Sequence, residues 1–119
     1  MNRPDTQLSN STVNEEDRRH HERYTVQVQI EIHPEGSTTP LRLTTTDLSR
    51  GGCYIQLLDQ LSLGVRVRAT LGLDGDAIQV HGLVVTRHPR FGNGIMFIEF
   101  EGEGERLLGR YLDAVTTSS

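Results

Sequence analysis

Two short stretches gather the residues best able to do chemistry. One is Asp47-Leu48-Ser49-Arg50-Gly51-Gly52, which sets a carboxylate, a hydroxyl, a guanidinium and two glycines between two apolar runs. Glycine takes positive φ at little cost and lets a ligand approach the main chain, so Gly51 and Gly52 can keep a turn tight and its face open. Asp47 and Ser49 then offer hydrogen bonds from neighbouring points. The other stretch is residues 18–23, Arg-Arg-His-His-Glu-Arg, in which Arg19 and Arg23 are separated by three residues. An arginine fork can hold two phosphate oxygens, or O6 and N7 of guanine, at once. The two pieces together predict a local site for something planar and anionic.

The pair Arg19-x-x-x-Arg23, followed about two dozen residues later by Asp47-x-Ser49-x-x-Gly52, resembles the PilZ domain, a bacterial receptor module for cyclic di-GMP. The similarity spans roughly residues 18–115. Either motif alone arises by chance; their order, spacing and position at strand edges make the pair specific. The resemblance implies that Arg19 and Arg23 bond guanine or phosphate and that Asp47 accepts from guanine N1–H and N2–H2. Ser49 then bonds phosphate or base, and Gly51 and Gly52 let the backbone approach. Arg18, immediately before the motif, implies an intercalated pair of ligand molecules, hence two per protomer. The implied protein is an effector that orders its N-terminal segment on binding and signals to an unidentified downstream protein. The alternative within the same fold is an adaptor that works by protein contact without ligand; such members tend to lack the motif residues present here.

Each feature has a plainer reading. Residues 18–23 alone would pass for a solvated charged stretch, and Asp47 can cap its turn through an Asx-type bond as well as touch a ligand. Arg50 reads as a solvent-facing turn residue. Arg66, Arg68, Arg106 and Arg110 read as solvation. His20 and His21 adjoin and on a strand point opposite ways, and the remaining histidines are scattered, so no metal or cofactor is expected. A triad of Ser49, Asp47 and a histidine lacks a nucleophile elbow and an oxyanion site, which argues against an enzyme.

Composition sets the outer limits. At 119 residues the chain is one domain with a single core. The net charge of −4 argues against DNA, RNA or membrane-surface binding, which call for a basic field, so an anion site must be local. All twelve basic residues are arginine. Cys53 is the only cysteine, which excludes an internal disulfide and suits a reducing compartment; it reads as a small buried thiol. No apolar run approaches the ~20 residues a membrane helix needs. A cytoplasmic protein without membrane insertion is the expectation.

The elements that must position these residues follow from periodicity. Residues 1–17 carry little to bury and read as a disordered tail, residues 18–116 as the domain, and residues 117–119 as a disordered end. Alternation predicts strands over residues 24–32, 41–48, 52–57, 65–73, 77–87 and 94–100, the last of them with aromatic ends suited to full burial. Residues 33–40 read as a turn and Asp74-Gly75-Asp76 as a hairpin turn. Strands with no crossover helix between them must close to hide their edges, which predicts an all-β, six-stranded antiparallel barrel, split-barrel in type. Leu107, Leu108, Tyr111, Leu112 and Val115 recur at helical spacing and predict a C-terminal helix over one opening, weakened by Gly104 and Gly109.

Overall fold

The computed structural model describes residues 23–57 and 61–117. Six strands, β1 (Gln29–Pro34), β2 (Leu41–Leu48), β3 (Gly52–Gln56), β4 (Arg66–Leu73), β5 (Asp76–His88) and β6 (Gly92–Phe100), are followed by one helix, α1 (Gly104–Thr117). They form a closed antiparallel barrel in the order β1-β2-β3-β6-β5-β4. Closure gives every strand two partners and leaves no edge to pair with another chain. The alternation that predicts the strands is the alternation of burial. Ile30 and Ile32 on β1, Val67, Ala69, Leu71 and Leu73 on β4, and Ile78, Val80 and Val84 on β5 fill the interior.

The β4–β5 hairpin turns at Asp74-Gly75, both at positive φ (45° and 100°), with Leu73 paired to Asp76. A two-residue turn with positive φ at both positions matches the twist of the strands it joins, and Asp-Gly meets that demand cheaply.

Helix α1 closes the end of the barrel where the β2–β3 turn lies. Leu108 and Leu112 enter the core, with Leu107, Tyr111 and Val115 packed around them. Gly104 sits against Phe100 and Ile78, where a larger residue would be crowded.

Three expectations change. The first strand begins at Gln29 rather than Tyr24, because residues 23–28 leave the ladder and are held on β2 by other bonds. It also runs through Pro34, so the following turn is shorter than residues 33–40. The last strand is buried on both faces only from Gly92 to Ile95 and on one face beyond. Ile95 and Phe97 point inward, whereas Met96 and Ile98 remain 44% and 48% exposed.

Candidate functional site

The placement of Arg23 begins with Thr45. The side chain of Thr45 is fully buried; its hydroxyl donates to the Val26 carbonyl at 2.8 Å and accepts from the Val28 amide at 3.1 Å. Tyr24 and Leu48 exchange two backbone hydrogen bonds of 2.9 Å each. The chain before β1 is thereby fastened along β2, which carries a bulge between Thr45 and Asp47. A bulge re-aims side chains, and this one brings Asp47 to the partly open surface beside Arg23. The Arg23 Nη1 to Asp47 Oδ2 distance is 3.9 Å. That is an ion-pair separation, too long for a hydrogen bond. The other carboxylate oxygen, Oδ1, is buried and has no hydrogen-bond partner among the described residues.

The turn itself is organised by Ser49, which is buried. Its Oγ accepts from the Gly51 and Gly52 amides, both at 3.1 Å, and donates to the Gly52 carbonyl at 3.2 Å. Ser49 therefore shapes the loop with the hydroxyl that the resemblance assigns to a ligand. Gly51 and Gly52 do not adopt positive φ. Gly52 is required for another reason: a Cβ there would drive into the carbonyl oxygen of Ile95 on the paired strand β6.

Beside the turn lies a cleft of about 230 Å³ lined by Arg23, Ser49, Gly51, Gly52, Val85, Met96 and their neighbours. Val85 falls at a shift of register between β5 and β6, which leaves it 44% exposed over the cleft. The cleft thus has an apolar floor, a cation at one side and a turn of backbone groups at the other. Strand periodicity turns Val85 outward, opposite Ile78, Val80 and Val84; what it does not show is that Met96 stands beside it. A larger hollow of about 550 Å³ lies on the outer faces of β1, β2 and β4. There Glu31 is already engaged by Arg42 at 3.6 Å and His33 at 3.0 Å.

Arg23, Asp47, Ser49, Gly51 and Gly52 are thus brought together. Arg18, Arg19, His20 and His21 lie outside the described residues, as do the tail 1–17 and residues 118–119. Arg50 departs from the expected solvent-facing role, since its guanidinium bonds Asp113 on α1 at 2.9 Å. Cys53 is buried, and burial, with the Asp47 carboxylate second, pushes its thiol up to about 12. It is a packing residue with no nucleophile to offer at neutral pH. Among the described residues no group of three His, Cys, Asp or Glu side chains could hold a metal, and no helix is long and apolar enough to cross a membrane.

A PilZ domain family model matches residues 17–114. No curated protein matches the sequence. Among solved structures, the chain is similar to the PilZ domain of CeSA from a cellulose-synthesizing bacterium, at 16% identity and a TM-score of 0.63, over 80% of this chain and 98% of that one. It is also similar to the Bacillus subtilis inhibitor of motility MotI/DgrA, at 21% identity and a TM-score of 0.58, over 84% of this chain and 52% of that one. It spans about half the length of the motility inhibitor. At these identities the likeness establishes the fold.

Proposed function

The chain belongs to the PilZ domain family, and from that premise we propose that it is a cyclic di-GMP receptor whose ligand lies over the cleft between Arg23 and the Asp47–Gly52 turn. The observation that carries this is the state of Asp47: a carboxylate short of donors, one oxygen buried and unpartnered among the described residues, the other 3.9 Å from a guanidinium. A buried acceptor left unmatched costs roughly 1–3 kcal/mol, which an arriving pair of N–H donors recovers. Guanine presents such a pair at N1 and N2. Rotation about χ2, a soft torsion in aspartate, turns the carboxylate toward them.

In this mechanism Arg23 moves from Asp47 to guanine or phosphate, and Arg19 supplies the second fork. Val85 and Met96 offer apolar contact to a base. Ser49 keeps the Gly51 and Gly52 amides in place rather than bonding the ligand itself. Arg18 adds a guanidinium for a second, intercalated ligand, giving two per protomer. Binding fixes residues 18–23 against the barrel, and a downstream protein reads the altered surface; no catalytic step is involved.

Calorimetric titration of wild type, Arg19→Ala, Arg23→Ala and Asp47→Ala with cyclic di-GMP, with GTP and single-stranded RNA in parallel, tests this. Selective binding of cyclic di-GMP that each substitution weakens is expected, at two ligands per protomer. A stoichiometry of one removes the role given to Arg18. Absence of binding leaves an adaptor that acts by protein contact.

A further inference from the structure

Arg50 stands between Ser49 and Gly51, yet its side chain leaves the turn and lies on α1. Nη2 donates to Oδ1 of Asp113 at 2.9 Å and reaches the Gly109 carbonyl at 3.5 Å. Gly109 occupies the interior of α1, where glycine is less favourable than alanine. It is nevertheless buried, and the Arg50 guanidinium covers it: a Cβ at Gly109 would collide with Nη1 and crowd Cζ. The helix thus carries a notch and, one turn later, an acid, both facing the arginine of the binding turn.

This seat is specific in shape but weak in hold. The Arg50 and Asp113 side chains are 48% and 75% exposed, and ion pairs so exposed contribute little net stability. The groove that Arg50 lines adjoins the Arg23 cleft along Gly51 and Met96. A phosphate there competes for the same guanidinium with charge-assisted, two-pronged bonds.

Building on the cyclic di-GMP site argued above, we propose that Arg50 is a positioning residue shared between α1 and the ligand. It is docked in the Gly109 notch without the dinucleotide and drawn toward a phosphate with it, which uncovers the Gly109 notch and Asp113 on α1 as the surface a partner protein senses, while Leu108 and Leu112 stay in the core. By linkage, whatever weakens the Arg50 seat on α1 strengthens ligand binding to the same extent.

Cyclic di-GMP is titrated calorimetrically into wild type, Gly109→Ala and Arg50→Gln, and amide exchange of residues 109–116 is followed with and without it. In wild type, saturation should speed exchange in α1. In Gly109→Ala the new methyl displaces a flexible side-chain end and improves helix propensity, so the fold survives while the seat is lost; affinity should rise ~2- to 5-fold, the scale of one exposed ion pair. Arg50→Gln should bind more weakly, and neither variant should show a ligand-induced change in α1. Affinity shifts of the same sign in both variants, or no shift, overturn the proposal. So does wild-type binding with unchanged exchange in α1, which leaves the cyclic di-GMP site itself intact. No wild-type binding overturns both.

Discussion

The Arg23 guanidinium stands 3.9 Å from the Asp47 carboxylate although 24 positions separate them in the chain, because the Tyr24–Leu48 bridge and the Thr45 hydroxyl fasten one segment to the other. A cation and an anion are thereby held at one rim of an apolar-floored cleft. Their mutual attraction contributes little by itself, since Arg23 is 68% exposed.

From this geometry, Arg23→Ala should change folding stability by no more than about 0.5 kcal/mol, the usual range for an exposed site. The same substitution should weaken cyclic di-GMP binding by about 1–3 kcal/mol, the scale of one bidentate contact to guanine. Asp47→Ala should weaken binding comparably, and Asp47→Asn nearly as much, because an amide mixes a donor with the acceptor that guanine N1–H and N2–H2 require. A double-substitution cycle read by calorimetry checks the pair. Wild-type affinity in Asp47→Asn would remove the carboxylate from recognition.

Gly52→Ala should act on the fold before it acts on binding. Its Cβ would meet the Ile95 carbonyl oxygen, a backbone atom that cannot swing aside, so β3 must part from β6. Overpacking of this kind costs about 1–3 kcal/mol or more. Urea unfolding should show the loss without ligand. Unchanged stability together with lost binding would mean instead that Gly52 is needed for the ligand's approach.

The strands were legible because each presents an apolar face at period two, and Leu108 and Leu112 marked the helix because they recur at its period. Asp47 and Ser49 were legible as turn chemistry. What a linear pattern cannot carry is contact between distant segments. Arg50 reads as a solvated turn residue until Gly109 and Asp113, about 60 residues on, are seen to receive it. The first strand begins late because the Val28 amide turns to the Thr45 hydroxyl instead of a backbone carbonyl, and no residue type announces it. Met96 lies in a strand expected to be fully buried; its one-sided burial puts it at the cleft beside Val85, which the alternation of β5 already turns outward.

Asn93 shows the same limit and yields its own prediction. It reads as part of a sequence break, yet it is fully buried, accepting from the Leu61 amide at 2.8 Å and donating to the Leu61 and Thr86 carbonyls at 2.9 and 3.1 Å. Replacing it with leucine would strand three backbone groups, at roughly 1–3 kcal/mol for each one left unmatched. A fall in melting temperature of several degrees is expected, and Asn93→Asp should not spare it at neutral pH, because its second carboxylate oxygen would face the Leu61 and Thr86 carbonyls as an unpaired buried charge. Equal melting of wild type and Asn93→Leu would show that water takes over these bonds.

Stability should also fall at alkaline pH through Cys53. Burial first, and the Asp47 carboxylate second, raise the folded thiol from 9.0 to about 12. Above pH 9 the unfolded chain releases this proton while the folded chain keeps it, so the unfolded state binds fewer protons and stability declines as pH rises. The slope reaches at most about 1.4 kcal/mol per pH unit between the two values and vanishes below the lower one. Cys53→Ala lowers stability at every pH by leaving a small cavity, but it should remove this part of the alkaline slope. Denaturant unfolding of both proteins from pH 7 to 11 measures the difference. Parallel profiles would mean that the thiol ionises in the folded protein as easily as in the unfolded one.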